Sequence, residues 1–99
     1  NGVYLAQSAT SWSAISDRTM KTGFEDITTP LDKLVQIKGL YYRYLTDTQD
    51  TKRIGVIAQD VQSVLPEAVS ENNDGILGVS YTDLIPLLIE ASKSTLQIY

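Results

Sequence analysis

The 99 residues, 42% hydrophobic and 20% charged, suit one small globular domain with a modest core. The chain contains no cysteine and no histidine, which excludes disulfides and both Ser-His-Asp and Cys-His catalysis, and we expect no metal and no cofactor. The formal net charge is -4, the Lys and Arg residues are scattered, and no apolar run approaches the roughly 20 residues of a membrane span, so we expect neither nucleic acid nor a membrane as partner.

Residues 1–15 differ in composition from the rest of the chain. They are rich in Gly, Ser, Ala and aromatic residues and poor in charge. In an extended conformation Val3 and Leu5 would share one face, which predicts one or two short strands. The composition changes at Ser16, and we therefore expect residues 1–15 to end an upstream segment and residues 16–99 to form a separate domain.

Residues 29–39 carry strong helix punctuation. Thr29 can cap the helix, Pro30 suits its first position, Asp32 follows three residues after the cap, and Gly39 can close the end. These signals predict a helix of about nine residues. Four side chains share its predicted face, namely Leu31, Leu34, Val35 and Lys38.

The middle of the chain alternates between strand and helix patterns. The aromatic run "LYYRYLT" (40–46) and the run "RIGVI" (53–57) predict strands. Apolar residues then recur at helical spacing until Pro66 ends the pattern. Residues 72–75, Asn-Asn-Asp-Gly, tolerate positive φ and predict the turn of a hairpin between "EAVSE" and "ILGVS".

The last segment predicts a helix from about Tyr81 to the end, because Ser80 and Asp83 form a capping-box-like pair and apolar residues follow at spacings of three and four. Pro86 is expected to bend this helix without ending it. The stripe can face its own domain or equivalent helices of other chains, and two heptads are too few to choose. One row is Leu84, Leu88, Ala91, Thr95 and Ile98, and the next is Ile85, Ile89, Ser92, Leu96 and Tyr99. These elements predict an α+β fold of short strands or hairpins, two short helices and a C-terminal helix.

The run "SDRTMK" (16–21) has two interpretations. In one, Ser16 or Asp17 caps a helical turn and Lys21 is a solvated charge. In the other, Lys21 accepts a proton from the Ser16 hydroxyl, which requires an uncharged and therefore desolvated amine. Residues five apart lie about 140° apart on a regular helix, so the backbone must bend for the pair to meet. Asp17 is the nearest carboxylate for charge balance, with Glu25 and Asp26 next.

Several blocks occur in an order that resembles a known family. "SDRTMK", a helix ending in "KG", an aromatic strand, "IGVIAQDVQSVLPEAV", "GVSYTDLIPLLIEA" and a final helix are similar to the intramolecular chaperone domain of phage tailspikes and tail fibres, the peptidase S74 type. The resemblance covers residues 13–99. It implies a homotrimer that folds the fibre ahead of it in the host bacterial cytoplasm and then cuts itself off.

The resemblance also implies site residues. In the pattern S-D-x-x-x-K, Ser16 would be the nucleophile and Lys21 the base, with cleavage between Ile15 and Ser16. Gln59 would be a candidate donor to the oxyanion, or else only a polar residue at a helix start. The row Leu84, Leu88, Ala91, Thr95 and Ile98 would form part of a trimeric coiled coil, shortened here at Tyr99.

Two alternatives remain at this stage. One is a purely structural trimerisation domain that is not cleaved, and the other is the equivalent self-cleaving domain of a membrane-bound transcription factor. The lead-in "NGVYLAQSATSW" favours a phage fibre. The residues after the lysine, Thr22-Gly23-Phe24, depart from the family pattern and make the local geometry there specific to this chain.

Overall fold

Three two-stranded antiparallel sheets and three α-helices form the part of the chain, residues 3–4 and 13–96, that the computed structural model describes. The strands are β1 (Val3–Tyr4), β2 (Ser13–Ala14), β3 (Leu40–Tyr42), β4 (Arg53–Gly55), β5 (Val69–Glu71) and β6 (Leu77–Val79). The helices are α1 (Pro30–Leu34), α2 (Ala58–Val64) and α3 (Ile85–Leu96). Short 3-10 turns lie at Arg18–Met20, Pro66–Ala68 and Tyr81–Leu84. The α+β prediction is confirmed.

The β5–β6 hairpin forms where the sequence predicted it. Val69 pairs with Val79 across the strands. The Asn72 side chain accepts hydrogen bonds from the backbone N–H groups of Asp74 and Ile76, each at 2.9 Å, and Gly75 has a φ of 79°. A side chain that bonds its own turn and a glycine that adopts positive φ make this hairpin a local property of the sequence.

Helix α1 is shorter than predicted. It has five residues, and Thr29 before it has a φ of 45° and makes no side-chain capping bond. After Leu34 the chain continues in i to i−3 turns, with Ile37 N–H bonded to the Leu34 carbonyl at 3.1 Å. This tighter winding rotates Val35 away from the predicted face, because a 3-10 turn advances more per residue than an α-turn. Val35 is 78% exposed, so its assignment to the buried face was wrong.

The core is small and lies between α2, α3 and the turn before β5. Within residues 13–96 the buried hydrophobic side chains are Val61, Ala68, Leu87 and Ala91. Helix α1 packs on α3, and α2 packs on β5 and β6. A small core leaves many apolar side chains outside it, and this positions two of them, on α3, for contact with other molecules.

The C-terminal helix begins differently from the prediction. Residues Tyr81–Leu84 form a 3-10 turn, and Ser80 makes no side-chain capping bond. Pro86 is therefore the second residue of α3, where a missing N–H is tolerated and no bend is required.

Helix α3 has two apolar faces. Leu87 and Ala91 are each 1% exposed and face the domain, while Ile85, Leu88 and Ile89 are about half exposed. Ala91 was placed in the row expected to contact other chains, and that placement is corrected here, since the side chain is buried within its own domain. The predicted row was displaced because apolar residues surround most of the helix, so the sequence does not single out one face. Ile98 lies outside the described residues.

Within the described part of the chain, no helix combines the length and the apolar character needed to cross a bilayer.

Candidate functional site

Ser16 and Lys21 are in direct contact. Lys21 Nζ donates a hydrogen bond to Ser16 Oγ at 2.7 Å. The bend that this contact requires is supplied by the 3-10 turn Arg18–Met20, after which Lys21 is extended, with φ -125° and ψ 154°. A 3-10 turn has three residues per turn, so it brings two side chains separated by five positions back toward each other. The geometry is that of a hydroxyl paired with an amine.

Asp17 begins this turn. Its Oδ1 accepts hydrogen bonds from the Thr19 backbone N–H at 2.9 Å and from Thr19 Oγ1 at 2.8 Å. The bond from the Thr19 backbone N–H, and then that from its hydroxyl, hold the pKa of Asp17 below its ordinary value. Among the side chains from residue 13 to 96, the ion pairs are Arg43 with Asp50 and Glu90 with Lys93. The structure therefore places Asp17 as a cap of the turn and not in an ion pair with Lys21.

The pair lies on an open surface. Ser16 and Lys21 are both exposed, and neither lines the two pockets described in the next paragraph. Ile15, the residue before Ser16, is 51% exposed and directly follows β2. The peptide bond between Ile15 and Ser16 thus joins an extended strand to a tight turn, where solvent and a neighbouring chain can reach it.

The other candidate residues lie elsewhere. Gln59, at the start of α2, lines a half-open pocket of about 430 Å³ between the β3–β4 and β5–β6 hairpins. Glu25 and Asp26 line a second depression beside Lys33. In the single chain the structure therefore joins Ser16, Lys21 and Asp17 in one turn and leaves Gln59, Glu25 and Asp26 outside it.

A tyrosine cluster in the first pocket was not singled out from the sequence. The Tyr42 and Tyr44 hydroxyls are 3.2 Å apart and the rings meet edge to face. Tyr81 accepts the Val56 backbone N–H at 3.1 Å. The hydrogen bond with Tyr44 raises the pKa of Tyr42. The alternation of aromatic residues in "LYYRYLT" indicates that two of them share a face of the strand, but their contact with Tyr81 depends on tertiary packing.

The turn is closed by two further features. Arg18 lies over the ring of Phe24, with its guanidinium carbon 4.9 Å from the ring centre, a distance at which a cation is attracted to an aromatic face. Gly23 between them has a φ of 67°. The residues that depart from the family pattern thus form a local clasp around the lysine.

The described residues contain no cluster of Asp and Glu side chains that could hold a metal ion. The chemistry available at this surface is that of the hydroxyl, the amine and the backbone.

Comparison with known proteins gives consistent matches. The sequence model of the peptidase S74 family, described as chaperone of endosialidase, matches residues 16–70, more than half of the chain. The long tail fiber protein Gp37 of Enterobacteria phage K3 is 38% identical over 86 residues, which cover 80% of this chain and 7% of that protein. Gp37 of Enterobacteria phage T2 is also 38% identical, and the match covers 6% of its length. The chain thus spans a small part of the length of the curated relatives it matches.

Proposed function

Because this chain belongs to the peptidase S74 family, we propose that it is the intramolecular chaperone domain of a phage tail fibre or tailspike. It promotes trimerisation and folding of the fibre segment that precedes it, and it then releases itself by cutting between Ile15 and Ser16. The long tail fibre proteins that match the chain support the phage setting over a transcription factor. The observation that carries the peptidase part is the 2.7 Å contact between Lys21 Nζ and Ser16 Oγ.

The proposed reaction is a single turnover within one chain. An uncharged Lys21 amine accepts the Ser16 hydroxyl proton while Oγ attacks the Ile15 carbonyl carbon. The bond from that carbon to the Ser16 nitrogen breaks, and the nitrogen takes its electron pair and a proton from Lys21. Water then hydrolyses the ester between Ile15 and Ser16 Oγ, leaving a carboxylate on Ile15 and a free Ser16 amine and hydroxyl.

The oxygen of Ile15 gains negative charge during the attack and needs hydrogen-bond donors. Gln59 lines a separate pocket, so we assign this role to backbone N–H groups near the turn and keep Gln59 only as the residue named from the sequence.

Water must be removed from the amine before it can act as a base. In the single chain the pair is exposed, and an exposed amine keeps its proton at neutral pH. We propose that a neighbouring chain of a homotrimer covers the pair, so that cutting waits for assembly. The half-exposed Ile85, Leu88 and Ile89 on α3 support such an association, because exposed apolar side chains at helical spacing are typical of helix–helix contacts.

The proposed division of the chain follows from this reaction. Residues 1–15 belong to the fibre and remain in the virion, and residues 16–99 form the chaperone domain that is released in the host cytoplasm. The family match begins at Ser16, which supports this boundary.

The test is mass spectrometry of the purified chain and three variants. Cleavage yields a fragment that begins at Ser16. We expect Ser16→Ala and Lys21→Met to remain intact, since the first lacks the hydroxyl and the second lacks the amine. Lys38→Met removes another exposed lysine and serves as the matched control that is still cut.

Two results would contradict parts of the proposal. If Lys21→Met is cut at the wild-type rate, Lys21 is not the base. If the wild-type chain forms trimers and stays intact, the domain is a structural trimerisation module without peptidase activity.

A further inference from the structure

We propose that Asp17 is a positioning residue whose carboxylate caps the turn that carries Lys21 back to Ser16, and that it is not the charge partner of the lysine. This inference rests on the proposed roles of Ser16 and Lys21. It assigns to the aspartate of the run "SDRTMK" a task that follows from its hydrogen bonds.

The turn between the two residues has little support of its own. It comprises three residues, Arg18–Met20, and its backbone bonds run from Met20 N–H to the Asp17 carbonyl at 3.0 Å and from Lys21 N–H to the Arg18 carbonyl at 3.2 Å. Short 3-10 turns have poorer hydrogen-bond geometry than α-helices. All of its side chains are exposed, so no core packing holds it in place.

Asp17 adds two bonds at the position where the turn begins. Both end on Oδ1, and both come from Thr19, one from its backbone N–H and one from its hydroxyl. They fix the direction in which the chain leaves Asp17, and that direction determines where Lys21 arrives two residues after Thr19. Bonds of this kind from a capping side chain stabilise a helical turn without needing a negative charge, since asparagine and serine serve as well as aspartate.

The charge of Asp17 is directed at the turn and not at the amine. Its accepting oxygen is occupied by Thr19, and no ion pair between Asp17 and Lys21 occurs among the side chains of residues 13–96. The lysine's hydrogen bond goes to Ser16 Oγ. The carboxylate therefore acts on the pair through the backbone.

Two substitutions separate the cap from the charge. Asp17→Asn keeps the accepting oxygen and removes the charge, and Asp17→Ala removes both. We expect Asp17→Asn to cut within about twofold of the wild-type rate and Asp17→Ala to cut about fivefold more slowly, the usual consequence of losing a capping side chain. In both variants the pH at which the cleavage rate is half-maximal should stay at its wild-type value.

The pH profile is the reading that a loss of folding would not change. If both variants slow equally and the half-maximal pH moves, the carboxylate acts as a charge partner and the inference is overturned. If neither variant slows, the cap is not needed and the inference is also overturned. Melting temperatures of both variants, measured in Ser16→Ala chains that cannot be cut, show whether a slow variant is also unfolded.

A second measurement does not depend on cleavage. In Ser16→Ala chains, NMR can record the proximity of the introduced methyl group to the Lys21 side-chain methylene next to Nζ. We expect this signal to persist with Asp17→Asn and to weaken with Asp17→Ala. If it stays unchanged with Asp17→Ala, the positioning role is refuted even in a chain that cuts normally, whereas failure of the Ser16 and Lys21 roles is shown separately by the Lys21→Met chain.

Discussion

Single residues around the proposed site hold the backbone in conformations that few residue types adopt. Gly23, two positions after Lys21, has a φ of 67°, and a Cβ built there would meet no other atom within 4 Å. The constraint at this position is therefore conformational and not steric crowding. Side chains that extend beyond Cα disfavour this left-handed region.

We expect Gly23→Ala to lower the free energy of unfolding by about 1 kcal/mol, the typical strain of an L-residue with positive φ. Urea denaturation of Ser16→Ala chains measures the change. Gly39→Ala is the matched control, because Gly39 also has open space around it and no positive φ is printed by its backbone geometry. A Gly23→Ala chain as stable as the Gly39→Ala chain would show that the turn relaxes without cost.

Two exposed carboxylates titrate with the fold. The backbone N–H of Thr19 holds the pKa of Asp17 below its ordinary value, and the backbone N–H groups of Gln49 and Thr51 do the same for Asp47. A carboxyl whose pKa is lower in the folded state contributes stability above its unfolded pKa and loses that contribution as the pH falls through its folded pKa.

We therefore expect unfolding to become easier on acidification below about pH 4, the ordinary range of aspartate. Asp47→Asn should weaken this acid dependence, because the amide oxygen accepts the same hydrogen bonds without titrating. Thermal melts at several pH values measure the effect, and carbon NMR of the carboxyl groups assigns it. An Asp47 carboxyl that titrates at or above the ordinary value would contradict the prediction.

At the scale of elements, local signals account for what the sequence predicted. The β5–β6 hairpin follows from Asn72 and Gly75, and the end of α2 follows from Pro66, since each residue acts on its own backbone. The length of α1 and the buried face of α3 could not be derived in this way. Both depend on how α1 packs against α3, which is a tertiary contact.

The proposed site divides in the same way. The sequence indicates that Ser16 and Lys21 need a bend to meet, because their spacing is incompatible with a regular helix. It does not indicate that Asp17 supplies the cap, since a carboxylate between a serine and a lysine suits a charge partner equally well. The contact between the tyrosines and Gln59's pocket depends on strands brought together from distant parts of the chain.

Helix α3 offers a direct test of its two faces. Leu87 is 1% exposed, and we expect Leu87→Ala to lower the free energy of unfolding by about 2–5 kcal/mol through lost burial and a residual cavity. Leu45 lies fully in solvent, so Leu45→Ala is the matched control and should change stability little. Urea denaturation of Ser16→Ala chains gives both values. A small effect of Leu87→Ala would mean that the core closes around the missing atoms.

At the scale of the whole molecule, the domain has more apolar surface than its core uses. Tyr41 and Ile54 face each other across the β3–β4 pair and are 69% and 71% exposed. A second apolar surface lies on α3 at Ile85, Leu88 and Ile89. A small domain gains little stability from its own core, so association through such surfaces would add stability as well as cover the exposed lysine.

The coupling of cleavage to assembly can be tested through the α3 surface. Leu88→Glu combined with Ile89→Glu places two charges on it and leaves the buried Leu87 and Ala91 in place. We expect a folded monomer by light scattering and circular dichroism. Its cleavage should fall more than about a hundredfold, because a lysine in water is uncharged in only about one molecule in 2,500 at pH 7.

Leu45→Glu is the control for added charge. It introduces a glutamate at a fully exposed leucine in the segment after β3 and should leave both trimer formation and cleavage unchanged. Once trimers have formed, cleavage of the wild-type chain should follow first-order kinetics that do not depend on concentration, because each hydroxyl attacks a bond of its own chain. A monomeric double variant that cuts at the rate of the trimer would show that the amine loses its proton without help from a neighbouring chain, and the coupling would then be wrong.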